Sequence, residues 1–258
     1  MTQYTAHLIA TSNADDAAFE ALVDLSEIIA DEEGAVIIGG HMVELITAAF
    51  PAPGLVSRRT QDADAGIPTA LASSGQMHAA LLARGYSAAE GNRYVKGDHA
   101  PQPTIDLLVP TTRARFGQVV LGGRGFNEMP GLGVGASPTF TVRAELTLQY
   151  GTTTVAIAKV PHLEGAVILK SIAWRDRHHN QSKDGVDLGN LFAVLQHHRE
   201  SEIAETWQLR KPGLIGFRRD AAAILHDLAD LWDARPPGGA VDSRALVSRI
   251  RTWVTDPR

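Results

Sequence analysis

Residues 35–65 read AVIIGGHMVELITAAFPAPGLVSRRTQDADA, and this stretch decides the fold. Ala35-Val36-Ile37-Ile38 is a short, continuous apolar run, which predicts a buried strand. Gly39-Gly40 ends it. Met42, Leu45, Ile46, Ala49 and Phe50 then recur at helical spacing and predict a helix, stopped by Pro51 and Pro53. Residues 58–67 predict a second strand, bounded by Pro68. Two glycines at a strand-to-helix junction let a ligand approach the backbone closely. The helix start behind them offers free N–H groups and a positive dipole end, which suits phosphate. On the second strand Asp62 and Asp64 point to the same face. Two such carboxylates repel each other unless a divalent cation neutralises them. Hard oxygen ligands at this spacing suit Mg²⁺ or Mn²⁺.

Working outward, residues 14–33 predict a helix ended by Gly34, and residues 69–83 another, stopped near Gly85. Strands are expected at 86–89, 93–96 and 104–109, the last ended by Pro110. The Gly-rich residues 117–138 read as a long connection. Segments 141–149 and 152–160 flank Tyr150-Gly151 and predict a hairpin. After Pro161 every segment reads as helix: 162–177, 184–199, 200–208, 218–234 and 242–254. Residues 236–239, Pro-Pro-Gly-Gly, resemble a linker. The expected class is α+β, a mixed β-sheet flanked by helices and followed by a C-terminal helical region. The division is placed at 1–160 and 161–258.

The chain has 258 residues, 44% of them apolar, enough to bury a sizeable core. It has no cysteine, which excludes disulfide staples, thiolate metal sites and a cysteine nucleophile. The N-terminus lacks the basic and apolar regions of a signal peptide, and no apolar run approaches the roughly 20 residues of a membrane span. A cytoplasmic protein without membrane contact is expected. Net charge is -5, so the chain is not a generic nucleic-acid binder. The charge is uneven: residues 1–160 hold 10 basic and 16 acidic side chains, and residues 161–258 hold 14 and 13.

Asp106 lies within Thr104-Ile105-Asp106-Leu107-Leu108-Val109, where its neighbours are strongly apolar. A carboxylate there is costly unless paired or metal-bound. If its strand lies beside that of Asp62 and Asp64, three carboxylates converge in a two-metal phosphoryl-transfer arrangement. The competing expectation is a buried ion pair to Arg59 or Lys170. Taken together, Ile38-Gly39-Gly40, Arg59-Thr60-x-Asp62-x-Asp64 and Ile105-Asp106 resemble the nucleotidyltransferase superfamily of the DNA polymerase beta type. Gly-Gly-His-Met-Val further resembles the AbiEii/AbiGii-type toxins, including the MenT-like tRNA nucleotidyltransferase toxins. Met42 departs from the small residue common there, and Ala65 from the larger apolar residue usual after the second Asp.

A second cluster carries the toxin-like resemblance further. That family's lysine helix reads Lys-x-x-Ala-x-x-x-Arg, followed by Lys-Asp-x-x-Asp-Leu. Lys170, Ala173, Arg177, Lys183, Asp184, Asp187 and Leu188 match it in order and spacing. Lys170, Ala173 and Arg177 share one helical face, from which a lysine can meet triphosphate oxygens. Asp184 stands at a helix start, as a catalytic group or as a cap. Asp187, one turn on, would orient Lys170 or Arg177. His178 and His179 read as loop surface, and His197-His198 and Arg218-Arg219 as a solvated helix face, with Arg210-Lys211 and Arg218-Arg219 as an alternative RNA-backbone surface. The Gly131–Gly135 run follows Pro130 rather than a strand, so it is not taken as a dinucleotide loop.

The resemblance implies an enzyme that moves a nucleoside monophosphate from an NTP to an acceptor hydroxyl. Asp62, Asp64 and Asp106 would hold the metal. Gly39, Gly40, Arg59, Thr60 and Arg177 would bind the triphosphate with Lys170. It also implies the 3′ end of tRNA as acceptor, and an antitoxin protein as partner. The alternatives are a catalytically silent nucleotide- or RNA-binding module, and nucleotidylation of a protein side chain.

Overall fold

The computed structural model describes residues 3–177, 183–238 and 241–258. His178, His179 and Gly239 lie outside them. The chain opens with β1 (Gln3–Ile9), α1 (Asn13–Ile28), β2 (Val36–Ile38), α2 (Gly39–Ala49) and β3 (Ala63–Gly66). Then come α3 (Thr69–Ser74), α4 (Gln76–Ala83), β4 (Tyr86–Glu90), β5 (Arg93–Lys96), β6 (Thr104–Thr111), β7 (Gly117–Leu121) and β8 (Arg124–Pro130). After α5 (Leu132–Gly135), β9 (Thr139–Thr147) and β10 (Thr153–Pro161), all further elements are helical. They are α6 (Leu163–Arg177), α7 (Lys183–His197), α8 (Glu202–Glu205), α9 (Gly216–Ala234) and α10 (Ser243–Trp253).

The strands form two sheets rather than one. β1, β9 and β10 make a small sheet, with β1 parallel and β10 antiparallel to β9. The larger sheet runs β2-β3-β6-β5-β4, with β8 beside β6 and β7 outside β8. Strand β6 is its hub: parallel to β3 along residues 105–108, antiparallel to β5 along 104–106, and parallel to β8 from 108 to 111. Its burial alternates. Ile105, Leu107 and Val109 point into the core, and Asp106 lies on the other, partly exposed face. Asp106 is therefore not sealed in a doubly buried strand, as its neighbours suggest; the strand has one wet face.

This α+β architecture, with helices against mixed sheets and a helical C-terminal region, is the one the periodicity predicts. Met42 and Ala65, the two departures from the family pattern, are both fully buried. Several boundaries differ. Helix α1 stops at Ile28, before Asp31-Glu32-Glu33, whose charges oppose the negative end of a helix dipole. The strand expected at 58–67 is regular only from Ala63 to Gly66. The helix expected at 69–83 breaks at Gly75 into α3 and α4. Strand β6 continues through Pro110 to pair with β8, since proline is tolerated toward a strand end. The supposed connection 117–138 is a hairpin and a helical turn. Gly122 and Gly123, at φ +55° and +78°, supply the two positive dihedrals of a tight hairpin turn. The Gly131–Gly135 run therefore does follow a strand, but it forms only the four-residue α5 itself and leads into β9 rather than a helix. Strand β1 was not anticipated.

Helix α6 is buried from Leu163 through Trp174, which carries Lys170 into the interior. Among the described residues no helix is long and apolar enough to cross a membrane.

Candidate functional site

The parallel register of β3 with β6 sets Asp64 opposite Asp106. Asp62 stands just before β3. One carboxylate oxygen from each of Asp62, Asp64 and Asp106 lies within 4.8 Å of the other two. At that separation, with an effective dielectric of about 20, each ionised pair costs roughly 3 kcal/mol. Burial pushes the Asp64 carboxyl up to about 7, and the charges of Asp62 and Asp106 push the same way. Lys170 and Arg177 pull against them. Among the described residues no donor hydrogen-bonds to the Asp64 carboxylate, on which burial and charge act alone. Thr60 Oγ1 donates to Asp62 Oδ1 at 3.0 Å and fixes that side chain.

Gly39 has φ +69°, and a Cβ there would lie 1.8 Å from Asp64 Oδ2. A Cβ on Gly40 would lie 2.5 Å from Thr60. The two glycines are thus the only residue type that lets α2 start against these carboxylates. The cap position of α2 is Ile38, with no side-chain capping bond, and its first turn holds no acid. Its leading N–H groups remain for a ligand.

The second cluster closes the opposite wall. Lys170 Nζ lies 2.6 Å from Asp187 Oδ2 and 3.5 Å from Asp184 Oδ1. Arg177 grips Asp184 through both oxygens, at 2.9 and 3.1 Å. Arg58 grips Asp187 the same way, at 2.8 and 3.1 Å. Despite burial, which works the other way, Lys170 and then Arg58 hold the Asp187 carboxyl below the usual range. Arg58 in turn is raised by Asp187, against its own desolvation.

These groups face a cleft of about 390 Å³. Gly39, Gly40, Thr60, Asp62, Asp64, Asp106, Lys170 and Arg177 all line it. Three of the expected residues do not. Arg59 turns away, donates to the Ile9 carbonyl and pairs with Glu44 and Asp15. Asp184 is fully buried behind Arg177 and Lys170, so it touches them rather than the cleft. Asp187 lies beneath Lys170, facing a neighbouring cavity of about 290 Å³ that shares Gly40 and Arg58. Arg218 is no solvated surface group either, since its Nε donates to the buried Glu164 at 2.8 Å.

Two basic residues went unread. Period two places 58, 60, 62 and 64 on one face, so the same alternation that selects Asp62 and Asp64 selects Arg58 over Arg59. The counter-ion of Asp106 is Arg93, rather than Arg59 or Lys170. Its Nε lies 3.1 Å from Oδ1 and its Nη2 2.7 Å from Oδ2. Arg93 faces Asp106 through the β5–β6 register, which no local sequence signal shows.

No protein-family model matches the sequence, and no curated protein matches it. Among solved structures, an antigenic nucleotidyltransferase-like protein from Paracoccidioides brasiliensis is similar, at 14% identity over 93% of this chain and 94% of that one, with a TM-score of 0.47. A likeness of that degree says nothing about chemistry. The side chains do: three convergent carboxylates, one without a donor, fit a hard divalent cation.

Proposed function

We propose that the protein is a metal-dependent nucleotidyltransferase. The observation that carries this reading is the convergence of Asp62, Asp64 and Asp106 on one cleft with the uncapped Gly39-Gly40 helix start and the buried Lys170. Asp62, Asp64 and Asp106 would hold Mg²⁺ or Mn²⁺. When bound, the cation would polarise the α-phosphate and neutralise its charge. The backbone N–H groups of α2 receive phosphate oxygens, and Lys170 and Arg177 face them from the other wall. An acceptor hydroxyl attacks the α-phosphorus, its proton passes to Asp106, and pyrophosphate leaves as the bond to the β-phosphate breaks. Asp184 and Asp187 fix Lys170 and Arg177 in place.

The acceptor we propose is the 3′ end of tRNA, in the cytoplasm, with the protein acting as the toxin of a toxin–antitoxin pair. The Lys170–Leu188 pattern supports that narrower reading through its resemblance to the AbiEii/AbiGii type. The test incubates purified protein with Mg²⁺, each α-labelled NTP in turn and total tRNA. Label on tRNA, absent from an Asp62→Ala/Asp64→Ala variant, supports the proposal. Label on protein moves the acceptor to a side chain. NTP-dependent thermal stabilisation with no pyrophosphate released would indicate a silent binder instead.

A further inference from the structure

The three carboxylates are not left entirely bare. Arg93, on β5, meets Asp106 with both prongs of its guanidinium, and its Nη2 also lies 3.6 Å from Asp62 Oδ2. It thus bridges two of the three groups that would hold the metal. The β4–β5 pairing shifts register between Ala88 and Glu90, next to Arg93, and such irregularities re-aim side chains. The Arg93 side chain is 46% exposed, and among the described residues its guanidinium pairs with nothing outside the cluster. Arg58 and Arg177 differ, since each is locked to a buried carboxylate of the α6–α7 network.

We propose that Arg93 is a built-in counter-ion that competes with the divalent cation, so the cation enters only as Arg93 swings out of the cluster. A guanidinium and a divalent ion cannot both sit against Asp62 and Asp106, because their like charges repel at this range. Bare metal then binds weakly in the wild type, since each binding event must also break the paired bond to Asp106. The inference rests on the metal-site reading above. A structural role for Arg93, pinning β5 to β6 and aiming Asp106, predicts the opposite sign: removing it would loosen Asp106 and weaken metal binding.

The test measures Mn²⁺ affinity, from the loss of the free-ion paramagnetic resonance signal, in four proteins without nucleotide. They are wild type, Arg93→Gln, Arg93→Lys and Asp64→Asn, each first checked for a cooperative melt. Arg93→Gln should bind Mn²⁺ about tenfold more tightly than wild type, the effect of removing one nearby like charge in a partly exposed site. Arg93→Lys keeps the charge but loses the two-pronged grip, and should bind a few-fold more tightly. Asp64→Asn should bind far more weakly than wild type. If both Arg93 variants match wild type or bind more weakly while Asp64→Asn still loses the ion, the competition is wrong and the metal site stands. If Asp64→Asn binds like wild type, the metal site itself is wrong, and the proposal falls with it. Should Arg93→Gln fail to fold, Arg93→Lys decides, since unchanged affinity there also overturns the proposal.

Discussion

Two groups of charge, one buried and one half-buried, face each other across the cleft, and they are balanced differently. In the α6–α7 network Lys170, Arg58 and Arg177 surround Asp184 and Asp187, each carboxylate gripped by two cations. At the strand ends one guanidinium, Arg93, pairs with two of the three carboxylates, and Asp64 has no ion-pair partner among the described residues. The carboxyls answer accordingly. Asp187 is held below the usual range by Lys170 and Arg58 despite its burial, whereas burial and like charge drive Asp64 up to about 7. The first group is a finished scaffold. The second is held short of positive charge, at the place where the proposed function puts a cation. Burial alone therefore does not mark a functional carboxylate; a deficit of partners does.

Substitutions on the two sides should diverge. The largest expected effect is on catalysis: Asp64→Asn should lower the transfer rate by about two to three orders of magnitude or more, measured as label incorporated at saturating Mg²⁺, while leaving the fold intact. Asp184→Ala should act on the fold instead. It removes one of the two partners of the buried Lys170 and frees the half-exposed Arg177, and should cost about 3 kcal/mol in denaturant unfolding. Equal losses of stability from Asp64→Asn and Asp184→Ala would erase the distinction. Gly39→Ala should cost about 1–3 kcal/mol, because φ is +69° and the new Cβ would strike Asp64. It should also abolish Mg²⁺-induced thermal stabilisation. The smallest effect is expected at Arg59, which faces away from the cleft on the Glu44 side. Arg59→Ala should cost about 1–2 kcal/mol, because it unpairs the buried Glu44 and Asp15 from their arginine, and change transfer about twofold at most, whereas Arg58→Ala should impair both.

That last pair shows where the sequence was legible and where it was not. Periodicity alone placed β2, α2, β5 and the helices after Pro161, because each is long enough or bounded sharply enough to leave a pattern. The Asp-x-Asp pair and the Gly-Gly turn were legible for the same reason: their meaning is local. The choice of Arg59 over Arg58 overlooked an alternation that was already present. Arg93 was out of reach, because only the antiparallel register of β5 with β6 sets it opposite Asp106. The β7–β8 hairpin was hidden by its glycines, which read as a loop but form the turn. Asp184 and Asp187 were linked to Lys170 through the family resemblance, and their position behind it depends on how α7 packs against α6.

The central claim is the charge deficit at Asp64, and the pH dependence of stability tests it most directly. Asp64 has a folded pKa of about 7, above the ordinary 3.8, so the folded state binds its proton more tightly. Its contribution is full below pH 4 and is lost as pH rises toward 7. The measurement is the unfolding free energy of wild type and Asp64→Asn from pH 4 to 8 in EDTA, taken as a difference so that titrating groups outside the carboxylate cluster cancel. Wild type should lose stability relative to Asp64→Asn by at most about 1.4 kcal/mol per pH unit, with the loss levelling off above pH 7, and Mg²⁺ should restore the loss at pH 8. Parallel curves for the two proteins, unmoved by Mg²⁺, would contradict the account.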